Sequence, residues 1–120
     1  MMPDERTQRL IEPAVLDRIQ AEIESAPVVL FMNGTPEFPQ CSGSAQAAHI
    51  LQLLGVRFKS LDVLKDPSLR LSIRDFSDWP TLPQLYVCGQ FLGGNDVMRQ
   101  MLDDDSLKSF FEQRAIPMHP

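Results

Sequence analysis

The chain has 120 residues, of which 43% are hydrophobic and 22% charged, and its formal net charge is -5. These values are ordinary for a single globular domain, and the acidic balance gives no bulk attraction to nucleic acid or to an anionic membrane. The two cysteines are too few for a disulfide framework, and no basic segment followed by an apolar one opens the chain. We therefore expect a reduced, cytoplasmic protein with no nucleic-acid partner and no membrane partner.

The beginning of the chain is polar and then becomes periodic. Residues 1–9 are predicted to be a flexible N-terminus ahead of one domain over residues 10–116. Pro13 suits the first turn of a helix. The apolar positions that predict this helix are spaced four apart, at Ile11, Val15, Ile19 and Ile23.

A strand, a loop and a helix follow in the next part of the chain. The continuous apolar run at residues 28–32 predicts a buried strand, whereas residues 33–40 contain one glycine and two prolines and predict a loop. Apolar spacing predicts a helix from Ser42 to Leu54, with Gly55 as its stop. Residues 56–63 are typical of a second strand.

The second half of the chain predicts a helix, a hairpin and two further helices. Asp66 and Pro67 are typical of a helix start, where aspartate caps and proline occupies the first turn. A loop over residues 79–83 separates this helix from a hairpin of residues 84–88 and 90–92. The predicted order is α-β-α-β-α-β-β-α-α, in which a right-handed crossover gives a parallel pair and the hairpin makes the sheet mixed.

Four short strings carry a resemblance to a known family. They are Phe-Met-Asn-Gly-Thr-Pro at 31–36, Pro-Gln-Cys at 39–41, Trp-Pro-Thr-Leu-Pro-Gln-Leu-Tyr-Val at 79–87 and Gly-Gly-Asn-Asp at 93–96. With the predicted element order, they resemble the monothiol glutaredoxins, whose site reads Cys-Gly-Phe-Ser, over roughly residues 12–112. The resemblance implies an α/β thioredoxin-like fold, a four-stranded mixed sheet flanked by helices.

Cys41 is the candidate reactive residue. It lies between the predicted loop and the predicted helix start, where unpaired backbone N–H groups and the helix dipole favour thiolate. Thiolate is both the nucleophile of disulfide exchange and a ligand for iron. Ser44 stands where a resolving cysteine would be expected, so a second thiol must come from outside the site. The resemblance makes Cys41 both the catalytic residue and the metal ligand, and the alternative is a buried structural cysteine.

The resemblance also implies a glutathione site. The matching residues are Asn33, Arg70, Thr81, Leu82, Pro83, Gly94, Asn95 and Asp96. In the family, backbone before a cis-proline pairs with the cysteinyl part of glutathione, a helix start holds its γ-glutamyl end, and an arginine holds its glycyl carboxylate. Simpler roles are the alternatives: a rigid turn at Pro83, an N-cap at Asp96 and an exposed helix arginine at Arg70. Arg74, one turn further along the helix, could bind the carboxylate in place of Arg70.

Three site positions depart from the family pattern. Asn33 replaces a lysine, so we expect thiolate to be less favoured and glutathione to be held less tightly. Ser42 and Gly43 replace Gly-Phe, which removes an aromatic side chain beside Cys41. Asn95 replaces a second cysteine that is not a cluster ligand in the family. The motifs around the site therefore match the family better than the positions next to Cys41 do.

The resemblance leaves three hypotheses for function. The leading one is a homodimer in which two Cys41 thiolates and two glutathiones hold a bridging [2Fe-2S] cluster for transfer to apo iron–sulfur client proteins. The second is a glutathione-dependent thiol-disulfide oxidoreductase, at most a weak enzyme, in which Cys41 removes glutathione from protein thiols. The third is a degenerate, non-catalytic interaction domain. Cys88 is expected to be a plain strand residue, and His49 lacks partners at metal-ligand spacing.

Overall fold

A computed structural model describes residues 13–119 of the chain. The predicted flexible N-terminus, the start of the predicted domain and Ile11 lie outside the described residues. The elements are α1 (Pro13–Glu24), β1 (Val28–Met32), α2 (Ser42–Leu53), β2 (Lys59–Asp62), a 3₁₀ turn (Val63–Lys65), α3 (Pro67–Ser77), β3 (Gln84–Val87), β4 (Gln90–Gly93), α4 (Asn95–Asp103) and α5 (Ser106–Gln113). Within the described range, none of the helices has both the length and the apolar character needed to cross a membrane.

The four strands form one mixed sheet in the order β2-β1-β3-β4. Strand β1 pairs in parallel with β2 and antiparallel with β3, and β3 pairs antiparallel with β4. Leu30, in the middle of β1, lies opposite Ser60 on one side and Leu85 on the other. The predicted α/β fold with a four-stranded mixed sheet is therefore confirmed.

Helices cover both faces of the sheet. Successive side chains of β1 point to opposite faces, so β1 contributes to the core on each side. Val28, Leu30 and Met32 pack into a cluster with buried residues of α2, α4 and α5. Val29 and Phe31 pack into a second cluster with buried residues of α1 and α3. All five residues of β1 are buried, which explains the continuous apolar run in the sequence.

Strand β2 is shorter than the predicted range of 56–63. Val56 is not in the strand, since its backbone N–H donates to the Leu51 carbonyl at 3.0 Å and its buried side chain packs on α2. The strand ends at Asp62, whose carboxylate accepts from the Leu64 N–H at 3.0 Å and starts the 3₁₀ turn. Local hydrogen bonding at both ends therefore replaces the strand that the apolar pattern predicts.

A two-residue turn joins β3 to β4. Cys88 and Gly89 form it with φ angles of 50° and 80°, the left-handed pair that tight hairpins favour. The Cys88 N–H donates to the Pro27 carbonyl at 2.7 Å, just before β1 begins. Cys88 therefore lies in the turn rather than in the strand, at the end of the sheet where β1 starts.

Candidate functional site

The loop after β1 returns the chain to the end of that strand. Gly34 has a φ of 89°, and a Cβ there would lie 2.5 Å from the Phe38 carbonyl oxygen, so only glycine fits the turn. The Gln40 N–H donates to the Asn33 carbonyl at 2.9 Å and closes the loop. Cys41 is thereby held next to Asn33, the first residue after β1.

Cys41 is the N-cap of α2, and three groups surround its Sγ. The backbone N–H of Ser44 donates to Sγ at 3.3 Å, and the Ser44 hydroxyl lies 3.1 Å from it. The Asn33 side-chain amide donates to Sγ from the other side, at 3.4 Å. The cysteine is half-buried, so its sulfur is both hydrogen-bonded and partly accessible.

These contacts favour the thiolate. Burial raises the pKa of the Cys41 thiol, but hydrogen bonds from the side chains of Ser44 and Asn33, and from the Ser44 and Gly43 N–H groups, hold that pKa below its ordinary value. Asn33 brings no positive charge, yet its amide supplies a donor to the sulfur. The expected cost of lacking a lysine at this position is therefore offset in part.

Ser44 is a site residue whose role the sequence reasoning missed, since it was considered only for the cysteine it replaces. Its side chain is fully buried, and its Oγ accepts from the Asn33 N–H at 2.9 Å. With that lone pair occupied, the Ser44 O–H can donate to the Cys41 thiolate. The available signal was a hydroxyl on the apolar face of the predicted helix, one turn before Ala47 and Ala48.

The loop before β3 contains a cis peptide bond between Leu82 and Pro83. The buried Gln84 side chain anchors this loop, since its Nε2 donates to the carbonyl oxygens of Trp79 and Thr81, each at 3.2 Å. Its Oε1 accepts from the Tyr86 hydroxyl, also at 3.2 Å. Gln84 was not among the predicted site residues, although its side chain bonds two carbonyl groups of this loop and the Tyr86 hydroxyl.

Two glycines bring three elements together beside Cys41. A Cβ on Gly43 would lie 3.0 Å from Asn95 Oδ1 and 3.3 Å from Pro83 Cδ. A Cβ on Gly94 would lie 3.2 Å from the Pro83 carbonyl oxygen and 3.7 Å from the Trp79 indole nitrogen. The start of α2, the cis-proline loop and the start of α4 therefore meet in close contact.

The N-cap of α4 is Gly94, and no side chain caps the helix. The alternative reading of Asp96 as an N-cap is therefore wrong, because Asp96 lies exposed in the first turn. Backbone N–H groups at an uncapped helix start can bind a carboxylate. The predicted binding of the γ-glutamyl end at Gly94, Asn95 and Asp96 stays a prediction with a suitable backbone.

Two of the remaining predicted glutathione residues, Arg70 and Thr81, are exposed. Arg70 and Arg74 are exposed on α3, and Thr81 is exposed in the cis-proline loop. Across residues 13–119, no hydrogen bond or ion pair joins Arg70 to Cys41. Its role toward a glycyl carboxylate stays a prediction.

The second thiol cannot reach Cys41. Cys88 contacts Pro27 before β1, whereas Asn33, the neighbour of Cys41, follows the end of β1. The strand between them has five residues, which span roughly 16 Å at about 3.3 Å per residue. A disulfide requires Cα atoms within about 7 Å. In the described part of the chain, no three His, Cys, Asp or Glu side chains cluster to hold a metal.

Comparisons with known proteins show which family this chain resembles. The family model described as Glutaredoxin matches residues 28–92, from β1 into β4. The chain is 42% identical over 114 residues to monothiol glutaredoxin-5, mitochondrial, of Lachancea kluyveri, covering 92% of this chain and 80% of that protein. It is 42% identical over 109 residues to monothiol glutaredoxin-S11 of rice, covering 91% of this chain but spanning only 22% of that longer protein.

A solved structure has the same fold. The solution structure of a monomeric truncated mutant of Trypanosoma brucei 1-C-Grx1 superimposes with a TM-score of 0.80 at 35% sequence identity. The match covers 88% of this chain and 96% of that one. The fold similarity therefore extends over nearly all of the trypanosome domain.

Proposed function

This chain belongs to the monothiol glutaredoxin family, and we propose that it binds glutathione and a [2Fe-2S] cluster that bridges two copies of the chain and is passed to apo iron–sulfur proteins. The observation that carries the proposal is the environment of Cys41. Its sulfur is partly accessible, receives donors from Ser44 and Asn33, and has no second thiol within reach among residues 13–119. A thiolate so placed is available to a ligand or metal from outside the chain.

Glutathione would bind across the three elements that meet beside Cys41. Its sulfur would lie near the Cys41 thiolate and its backbone along Leu82 before the cis-proline. Its γ-glutamyl carboxylate would accept from the first-turn N–H groups of α4, which carry no side-chain cap. Arg70 would pair with the glycyl carboxylate, since a guanidinium suits a carboxylate.

A [2Fe-2S] cluster needs four thiolate ligands, and this site supplies one. Two copies of the chain provide two Cys41 thiolates, and one glutathione bound beside each provides the remaining two. The cluster is cargo in this scheme, so it must leave again for an apo client. Ligands from two separate glutathione molecules and a partly accessible cysteine suit such release.

Anaerobic incubation with iron, sulfide and glutathione tests the proposal. We expect a coloured dimer by size-exclusion chromatography, a colourless monomer for Cys41→Ser, and wild-type loading for Cys88→Ser. Omitting glutathione should prevent loading. A wild-type protein that stays a colourless monomer, under conditions in which another monothiol glutaredoxin loads, would refute cluster binding.

A second candidate function follows from the lowered pKa of Cys41. The Cys41 thiolate would attack the glutathione sulfur of a protein–glutathione mixed disulfide, and the protein thiolate would leave. A free glutathione thiolate would then attack the Cys41–glutathione disulfide, which releases oxidised glutathione and restores Cys41. Turnover of a glutathionylated peptide that requires Cys41 would support this activity, and turnover equal to that of Cys41→Ser would exclude it.

Glutathione titration separates both functions from a non-catalytic interaction domain. Calorimetry with reduced glutathione should show binding at micromolar to millimolar concentration if either function is correct. Absence of heat and of NMR shifts at several millimolar glutathione would favour the degenerate domain. The titration therefore decides whether the altered Ser42-Gly43 site still holds its ligand.

A further inference from the structure

We propose that the side chains of Asn95 and Gln46 form a strut that holds the start of α4 against α2, and that this strut sets the spacing a bound glutathione must span. The proposal rests on the proposed glutathione binding and deepens it. Asn95 is thereby a positioning residue that acts through Gln46, in addition to any contact of its backbone with the ligand.

One end of the Asn95 amide is hydrogen-bonded, and the other lies beside Gly43. Its Nδ2 donates to Gln46 Oε1 at 2.8 Å, which joins residues that are 49 positions apart in the chain. Its Oδ1 lies over Gly43, only 3.0 Å from where a Cβ would stand. The strut therefore occupies the space beside Cys41 that a side chain at position 43 would need.

No side chain caps the start of α4, so the Asn95–Gln46 hydrogen bond adds to the packing of Gly94 on Pro83 and Trp79. The helix follows Gly93, with a φ of 148°, and its N-cap Gly94 offers no side-chain hydrogen bond. Consecutive glycines leave the backbone with more freedom than any other pair. Among the described hydrogen bonds, the Asn95–Gln46 contact is the side-chain link between α4 and α2.

The spacing matters for a ligand that is held at two points. The sulfur of glutathione would meet Cys41 at the start of α2, while its γ-glutamyl carboxylate would meet the first turn of α4. If the two helix starts are already fixed, binding does not have to order them, and affinity rises. A small reagent that reacts with Cys41 does not contact α4, so loss of the Asn95–Gln46 hydrogen bond should not change its reaction rate.

A double-mutant cycle tests the strut. We expect Gln46→Met and Asn95→Ala each to weaken glutathione binding by about three- to tenfold in calorimetry, the amount typical of one net hydrogen bond. The double variant should bind glutathione as well as the single variant with the lower affinity, since both changes remove the same contact. Gln52→Met is the matched control, because Gln52 is an exposed glutamine of the same helix.

The rate of Cys41 alkylation by iodoacetamide, followed by mass spectrometry at that residue, separates spacing from damage to the site. We expect this rate to stay within about twofold of the wild type in Gln46→Met and Gln52→Met, because both variants keep the Asn95 side chain beside Gly43. Unchanged glutathione affinity in both single variants, multiplying losses in the double variant, or a parallel fall in alkylation of Gln46→Met would each overturn the strut. Wild-type protein that binds no glutathione would instead overturn the proposed function and the strut with it.

Discussion

Replacing Ser44 with alanine would remove a hydroxyl that serves two partners at once. Ser44 Oγ accepts from the Asn33 N–H at 2.9 Å and lies 3.1 Å from Cys41 Sγ. The residue is fully buried, so water does not readily replace the lost oxygen. Leaving a buried donor without its acceptor costs about 1–3 kcal/mol, and we expect the free energy of unfolding of Ser44→Ala to fall by that amount.

The same substitution should raise the pKa of Cys41. Burial alone raises that pKa, and the Ser44 side chain is the foremost of the hydrogen-bonding groups that lower it. Because the folded thiol has a lower pKa than the unfolded one, the wild type gains stability as its thiolate forms. That gain is complete above the pKa of the unfolded thiol and is lost as pH falls through the folded pKa. In Ser44→Ala the gain should shrink.

Two measurements check this prediction, and Ser42→Ala is their control because Ser42 is exposed beside the same cysteine. Urea unfolding gives the loss of stability. The pH dependence of thiolate absorbance, measured in a Cys88→Ser background, gives the shift of the Cys41 pKa. A Ser44→Ala protein that unfolds like the wild type and titrates at the same or a lower pH would refute the reasoning.

Three further predictions concern Tyr86, Gln84 and Cys88. Tyr86 is the only tyrosine, and burial raises its pKa to about 12. Stability should therefore fall between about pH 10 and 12 as the unfolded chain loses its phenol proton first, and a folded-state absorbance midpoint near 10 would contradict this. Gln84→Leu removes the side chain that anchors the cis-proline loop and leaves the hydroxyl of the buried Tyr86 without this acceptor. It should therefore cost about 1–3 kcal/mol and weaken glutathione binding. Equal stability in urea would argue against the anchor. Asparagine suits the left-handed turn position of Cys88, so Cys88→Asn should raise the free energy of unfolding by up to about 1 kcal/mol. Cluster loading should not change, and a loss of loading would assign Cys88 a role in the chemistry.

Much of the fold could be predicted because it depends on local patterns. The buried run of β1 and the Asp66-Pro67 start of α3 are visible in the sequence, and both elements begin where expected. The errors lie where tertiary contacts override such a pattern. The apolar pattern at 56–63 predicts a longer strand than Lys59–Asp62, because Val56 instead donates its N–H to the Leu51 carbonyl and packs on α2.

The sequence by itself determined the order of elements, the place of Cys41 at a helix start and the lack of a resolving neighbour. These features follow from spacing, glycine and proline, which act within a few residues. Only the tertiary structure decided what surrounds the sulfur. The hydrogen bonds of Asn33 with Cys41 and Ser44, and that of Asn95 with Gln46, join residues whose proximity depends on how the loop closes and how α4 packs on α2. Such contacts depend on the packing of whole elements, which no local pattern encodes.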